Sequence, residues 1–150
     1  MKIKRLGQFT LHCNTEQYSD TILSPKGAAD FFRKALYSKD YYDPMKEFSI
    51  VICLSTKRKV IGWNLVSMGQ VDSCTMHPRE TFRPAIACAA KSLLLAHSHP
   101  SDNTTPSGAD VAVTRRLIEA GKIIDIEITD HVIVGPTNYT SLRSLGYFGY

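Results

Sequence analysis

The run formed by residues 93–96 has no polar side chain and leads directly into His97-Ser98-His99-Pro100. A short, wholly apolar run is typical of a central strand that is covered on both faces of its sheet. Because side chains alternate along a strand, His97 and His99 are expected to point to the same side of its end. Open α/β sheets generally bind ligands beyond the carboxyl ends of their strands, and neutral imidazole is a favoured zinc ligand. The sequence therefore predicts a metal site at this strand end.

A carboxylate follows in the next predicted helix, which opens at Ser107, runs to about Ala120 and ends at Gly121. Asp110 lies in its first turn and on its inward-facing stripe, where a carboxylate is costly to bury unless it is paired or binds metal. The stripe continues with Val113, Leu117 and Ala120. Two histidines and one carboxylate leave the fourth position of a tetrahedral zinc ion open to water, which indicates a catalytic ion. Ser107-x-x-Asp110 is alternatively a helix-capping pattern, and capping is compatible with metal binding.

The rest of the chain alternates between helical and strand patterns. Helices are predicted from Ser24-Pro25, with Ala28, Phe31, Phe32 and Ala35 buried, and from Pro78, with Phe82, Ala85, Ile86 and Ala89 buried. Strands are predicted over 48–54 and 60–66, which would form a hairpin, and over 93–96, 124–129 and 132–134. The strand, helix and strand over 93–134 form a βαβ-like unit, so the expected class is mixed α/β, in one domain over residues 1–150.

Charge and composition limit the partners and the compartment. The net charge is +4, with basic residues scattered along the chain. Nucleic-acid-binding domains tend to be more basic and more focused, so DNA is allowed as a partner but not indicated. No apolar run approaches the roughly 18 residues of a membrane span, and the N-terminus lacks the apolar region of a secretory signal. We expect a cytoplasmic protein, in which Cys13, Cys53, Cys74 and Cys88 are reduced and mostly buried.

His97-x-His99, seven residues, Ser107, two residues and Asp110 resemble the JAMM motif of the JAB1/MPN metalloprotease superfamily, at the motif's own spacing. The longer sequence resembles the RadC branch in particular, over about residues 24–148. The matching stretches are HPRETFRPAI at 77–86, LLLAHSHPSDNTTPSGADVAVTRRLIEAGKI at 93–123 and IEITDHVIVGPTNYTSLRSLGYF at 126–148. The resemblance implies an α/β fold with a single mixed β-sheet flanked by helices, the JAB/MPN fold, which is similar in shape to the cytidine deaminases. It also implies that His97, His99 and Asp110 bind Zn²⁺.

The resemblance further implies two catalytic residues. Ser107 would orient water or stabilise the oxyanion, and a glutamate on an earlier strand or helix end would act as general base. Glu47, at the head of the strand predicted over 48–54, matches that position. Glu80 is the alternative, but it lies in the first turn of the helix that begins at Pro78, where the helix dipole accounts for an acid without catalysis.

The chain departs from the RadC pattern in two respects. RadC-like chains typically have H-N-H-P-S-G, whereas this chain has Ser98 in place of the asparagine and Asp102 in place of the glycine. Serine occurs in other branches of the superfamily, but Asp102 is expected to alter the loop or to add negative charge near the metal. Full-length RadC proteins also carry an N-terminal helix-hairpin-helix-like region, which this chain is expected to be too short to contain.

The expected function is zinc-dependent hydrolysis of peptide or isopeptide bonds in an unidentified substrate. The alternative is a DNA repair or recombination accessory protein that binds nucleic acid or a protein partner and uses zinc only structurally. Zinc deamination of a nucleobase is excluded, because that chemistry uses a His/Cys/Cys site with H-x-E and P-C-x-x-C signatures. The chain has neither signature.

Overall fold

The computed structural model describes residues 19–69 and 76–149. Its helices are α1 (Pro25–Leu36), α2 (Pro78–Ala87) and α3 (Gly108–Ile124). Its strands are β1 (Glu47–Leu54), β2 (Val60–Gly69), β3 (Ser92–Ser98), β4 (Glu127–Val134) and β5 (Tyr139–Ser141). The expectations for the N-terminal segment, Cys13 and Cys74 lie outside the described residues. Within the described residues, every helix is too short or too polar to cross a membrane.

The five strands form one mixed sheet in the order β2-β1-β3-β4-β5. β1 pairs antiparallel with β2, as the predicted hairpin requires, and antiparallel with β3 on its other side. β3 pairs parallel with β4, and α3 makes the crossover between them. The α/β class and the strand–helix–strand unit are therefore confirmed, and β3 lies at the centre of the sheet.

The two faces of the sheet are covered by different helices. Ile52, Leu94 and Val132 pack with α1 in one apolar cluster. Val51, Leu95, Ile133 and the α3 residue Leu117 belong to a second cluster on the opposite face, which also includes α2 residues. Because alternate side chains share a face, the odd-numbered residues of β1 and β3, and residues 131 and 133 of β4, point towards α3. Glu47, His97 and His131 therefore lie on the α3 side of the sheet.

The predicted helix starts are confirmed, and one predicted buried stripe is wrong in part. Ser24 caps α1 by accepting a hydrogen bond from the Gly27 N–H at 3.1 Å, and the four predicted α1 core residues are buried. In α2, Phe82 and Ala85 are buried as predicted, but Ile86 is 64% exposed. Ala89 lies beyond the end of α2 and is exposed. The buried face of this short helix centres on residues 81–85, which turns Ile86 towards solvent.

The end of α3 also differs from the prediction. The helix continues past Gly121 to Ile124 and is capped by Asp125 in the left-handed conformation, with φ 57°, which aspartate tolerates better than most residues. Gly121 is buried within the helix, and a Cβ at this position would lie 2.5 Å from the Ile126 carbonyl oxygen. Its role is thus to allow a close approach of the returning chain. The strands predicted over 124–129 and 132–134 are one strand, β4, which begins only at Glu127, and the predicted strand start at Ile124 is wrong because Ile124 ends α3.

The buried stripe of α3 is rotated slightly from the predicted one. Its buried residues are Asp110, Thr114, Leu117, Ile118 and Gly121, whereas Val113 and Ala120 are only partly buried. Asp110 nevertheless faces inward, as the sequence predicts. The stripe also carries one further polar residue, Thr114, directly one turn after Asp110.

We expect the Gly121→Ala substitution to destabilise the fold by about 1–3 kcal/mol, the usual cost of forcing an extra methyl group into a packed site. The new methyl group would meet backbone, which cannot move away as a flexible side chain could. Gly108→Ala in the same helix is the control, because a Cβ at that position meets nothing within 4 Å. Urea unfolding of both variants measures the difference, and equal stability of the two would contradict the close-approach role.

Candidate metal centre

Three side chains from the end of β3 and the start of α3 meet at one point. The Nε2 atoms of His97 and His99 are 3.0 Å apart. The Asp110 carboxylate lies 3.2 Å from His97 Nε2 through Oδ1 and 3.5 Å from His99 Nε2 through Oδ2. His97 and Asp110 are buried and His99 is half-buried, so the cluster lies just inside the protein surface. The structure thus brings the three predicted ligands together.

Asp110 is fixed in place by a reciprocal capping box at the start of α3. Its Oδ2 accepts a hydrogen bond from the Ser107 N–H at 2.8 Å, and its own N–H donates to Ser107 Oγ at 3.1 Å. Burial opposes ionisation, but the neighbouring His97 and His99 rings and the Ser107 N–H outweigh it and hold the pKa of Asp110 well below its usual range. The carboxylate is therefore negatively charged at the cluster. The capping box therefore coexists with the position of Asp110 beside His97 and His99.

The two histidines are each held by their other ring nitrogen. His99 Nδ1 lies 2.8 Å from the Asn103 carbonyl oxygen, which can only accept a hydrogen bond, so this nitrogen carries a proton. The lone pair of a neutral His99 is then on Nε2 and faces Asp110. His97 Nδ1 lies 2.7 Å from His131 Nε2, which leaves His97 Nε2 to face the cluster.

This donor set fits a cation. Ring nitrogens and a carboxylate that face one another at 3.0–3.5 Å repel each other unless a proton or a metal ion lies among them. The Asp110 carboxylate raises the pKa of His99, because a proton on His99 relieves this repulsion. Imidazole and carboxylate are also suitable ligands for zinc and related divalent ions. The cluster of His97, His99 and Asp110 can hold a metal ion.

Two polar residues behind His97 were not singled out by the sequence. His131 on β4 is fully buried, and burial lowers its pKa well below the usual value, so its ring is neutral. Its Nδ1 lies 2.6 Å from Thr114 Oγ1, which in turn lies 2.6 Å from the Asp110 carbonyl oxygen. One signal was available in the sequence: a histidine interrupts the apolar part of β4, on the strand face that must be buried.

Glu47 lies at the first position of β1, beside the end of β3 that carries the histidines. In the antiparallel pairing of β1 with β3, Ser49 is opposite His97, and Glu47 precedes Ser49 by two residues on the same face of the sheet. The Ser98 hydroxyl accepts a hydrogen bond from the Phe48 N–H at 2.9 Å and so fixes the start of β1 against β3. The pKa of His99 is raised first by Asp110 and more weakly by Glu47.

Glu80 lies in a different environment. Its carboxylate forms ion pairs within α2, with Arg83 at 2.7 Å and with Arg79 at 3.3 Å. The neighbouring α2 residue Phe82 packs beside Gly121, near the end of α3. Gly121 follows Asp110 by eleven residues, or about 16 Å along a helix axis. α2 therefore packs towards the end of α3 that is remote from the cluster.

Asp102 supports the loop between β3 and α3. Its φ of 62° is in the left-handed region, where the RadC pattern has glycine. Its carboxylate accepts hydrogen bonds from the Asn138 N–H at 3.0 Å and from both the N–H and the hydroxyl of Thr137. The carboxylate thus binds the turn before β5. Asp102 was expected either to alter the loop or to add negative charge near the metal, and these contacts show an effect on the loop conformation.

A cavity of about 260 Å³ opens beside His99. Its walls are mostly apolar and aromatic. They are formed by Tyr37, Tyr42, Pro44, Ser98, His99, Pro100, Val134 and Pro136. The rings of Tyr37 and Tyr42 stack with centroids 4.7 Å apart, which gives one wall a fixed aromatic surface. The cluster of His97, His99 and Asp110 therefore adjoins a space large enough for an apolar side chain.

Comparison with known proteins finds one matching family model and several similar relatives. The family model described as the RadC-like JAB domain matches residues 22–147. A UPF0758 protein of Syntrophomonas wolfei is 44% identical over 126 residues, which cover 83% of this chain and 53% of the relative. UPF0758 proteins of Desulforudis audaxviator and Methanosarcina barkeri are 37% and 36% identical, over 91% and 77% of this chain and 57% and 54% of the relatives. The chain spans about half the length of the curated relatives it matches.

Proposed function

The chain belongs to the RadC-like JAB domain family, and on that premise we propose that it is a zinc-dependent hydrolase of peptide or isopeptide bonds. One observation carries the proposal: two imidazoles and a carboxylate converge on one point and, among the described residues, form a group of three rather than four. Structural zinc sites almost always have four protein ligands, whereas catalytic sites have three and keep one position for water or substrate. The half-buried His99 keeps this point close to the protein surface.

Each residue of the site has a defined role in this proposal. His97, His99 and Asp110 hold the ion, which supplies Lewis-acid chemistry: it makes water nucleophilic near neutral pH and polarises a carbonyl group. Glu47 takes the proton of the attacking water and later delivers it to the leaving amine, as general base and then general acid. Glu47 lies near enough to His99 to raise its pKa, which supports this assignment over Glu80, whose carboxylate pairs with arginines on α2.

Ser107 is proposed to stabilise the negative charge that develops on the substrate oxygen. Its hydroxyl oxygen accepts the Asp110 N–H, so the hydroxyl proton is not used in that bond and can be donated. Ser107 also lies at the N-terminus of α3, where the helix dipole favours negative charge. A donor fixed in this way stabilises an oxyanion without having to reorganise during the reaction.

The cavity beside His99 supports a preference among substrates. Its apolar and aromatic walls favour a substrate residue with an apolar side chain next to the bond that is cleaved. We therefore propose a peptide or protein substrate, although its identity requires a search. The alternative of a DNA-binding accessory protein would use the ion only structurally, and a group of three ligands favours the hydrolase.

The test combines metal analysis with a search for cleaved bonds. Purified protein is expected to hold one zinc ion per chain by elemental analysis. Incubation of the zinc-loaded protein with a proteome extract should generate new N- and C-termini, enriched in apolar residues beside the cleaved bond. Removal of the metal with a chelator should abolish these termini, and added zinc should restore them. Absence of stoichiometric zinc, or cleavage that persists after metal removal, would contradict the proposal.

A further inference from the structure

Thr114 fixes the direction of a chain of hydrogen bonds that begins at the backbone of Asp110. The Thr114 hydroxyl lies 2.6 Å from the Asp110 carbonyl oxygen, which can only accept, so the hydroxyl donates its single proton there. Thr114 Oγ1 also lies 2.6 Å from His131 Nδ1. Because the hydroxyl proton is already used, Oγ1 accepts in this second bond. His131 is therefore protonated on Nδ1.

The same reasoning continues from His131 to His97. His131 is fully buried, and among the described residues its ring nitrogens contact Thr114 and His97. A buried imidazole whose nitrogens contact a hydroxyl and a second imidazole is neutral and carries one N–H, which Nδ1 already has. Its Nε2 is therefore an acceptor, and the 2.7 Å contact requires His97 Nδ1 to donate. The lone pair of His97 is then on Nε2, directed at the cluster.

Both ends of this chain of hydrogen bonds lie at one residue, Asp110. Asp110 anchors the chain with its backbone carbonyl, and its carboxylate oxygen Oδ1 lies 3.2 Å from His97 Nε2 at the other end. Three elements take part, because His97 is on β3, Asp110 and Thr114 are on α3, and His131 is on β4. All of the linking atoms are buried, so water does not compete for these bonds.

We propose that His131 is a positioning residue for the metal centre: with Thr114 it fixes the Nδ1-protonated form and the orientation of His97, and thereby strengthens metal binding. This inference rests on the proposed function, in which His97 binds zinc through Nε2. A hydrogen bond that accepts the second N–H of a histidine ligand makes the ligand more basic, and loss of such a partner typically weakens metal binding about 10–100-fold. His131 itself does not contact the ion.

The first experiment measures the dissociation constant of Zn²⁺ by competition with a chromophoric chelator. His131→Leu, which removes both ring nitrogens, is expected to weaken zinc binding about 10–100-fold. Thr114→Val, which removes the hydroxyl but keeps the size of the side chain, should weaken it about 10-fold, at the low end of that range. Thr114→Ser keeps the hydroxyl and is the matched control, with affinity close to that of the unmodified chain. If His131→Leu does not fold, the Thr114 pair decides the question.

The second experiment observes the tautomers directly. Long-range ¹H–¹⁵N spectra of the metal-free protein should show His131 protonated on Nδ1 and not on Nε2. A His131 that is protonated on Nε2, or Thr114→Val and His131→Leu variants that bind zinc as tightly as the unmodified chain, would overturn the inference. Failure of the proposed function looks different, because then the unmodified chain binds no zinc while the His131 tautomer is still measured.

Discussion

The Glu47→Gln variant should keep its zinc and lose about 100- to 10,000-fold in the rate of hydrolysis, which is the usual contribution of a general acid–base. The glutamine amide has nearly the same shape as the carboxylate but cannot accept and return the proton of the attacking water. Glu47 is not part of the group of three metal ligands, so zinc content should not change. The measurement is the turnover of a peptide found in the search for cleaved bonds, with zinc analysis of the same sample.

Glu80→Gln is the matched control for this experiment. The substitution is the same, but the Glu80 carboxylate forms ion pairs with arginines on α2. Its removal should leave turnover within about twofold of the unmodified chain and affect stability only slightly, because exposed ion pairs contribute little. Full activity of Glu47→Gln together with loss of activity in Glu80→Gln would reverse the assignment of the base.

The Asp110→Asn variant should bind zinc more than about 100-fold more weakly, since it loses a ligand rather than a partner of a ligand. The amide oxygen can still accept the Ser107 N–H, so the capping box is preserved in part. The amide NH₂ group then takes the position of Oδ1 and can donate to His97 Nε2, so the metal-free fold should remain stable. A ligand at 1,000 times its dissociation constant stabilises a fold by about 4 kcal/mol, and this zinc-dependent gain should disappear.

Thermal unfolding with and without zinc measures that gain. Asp125→Asn is the control, because it makes the same substitution at the other end of α3, where the left-handed conformation suits asparagine as well as aspartate. The control should keep the full zinc-dependent increase in Tm. An Asp110→Asn protein that keeps this increase would show that Asp110 is not a ligand.

The sequence was sufficient for those parts of the site that depend on local spacing. His97 and His99 share a strand end, and Ser107 and Asp110 share one helical turn, so alternation and helical periodicity predict their geometry directly. The resemblance to RadC proteins added the single mixed sheet to the α/β class that the pattern of strands and helices predicted. Glu47 depends on the register between β1 and β3, and its catalytic role is still a prediction.

The parts that the sequence did not predict depend on contacts between distant segments. His131 reaches His97 across the parallel pairing of β3 with β4, and no spacing rule connects two residues that are 34 positions apart. Gly121 resembled a helix end because glycine commonly ends helices, whereas its actual role depends on where the chain returns after α3. Asp102 was expected to affect the loop or the charge near the metal, and only the turn at Thr137 shows what it binds.

The β3–α3–β4 crossover also determines how the ion and the fold depend on one another over time. The parallel pairing of β3 with β4 forms only after the long intervening segment has closed, and such non-local contacts form slowly during folding. The ligands come from β3 and α3, and His131 holds one of them from β4, so a fully formed metal site exists only once this crossover has closed. An ion that binds the completed site would then favour the closed state by mass action. A substitution that loosens β4 would therefore shorten the residence time of the ion, even where every ligand is intact.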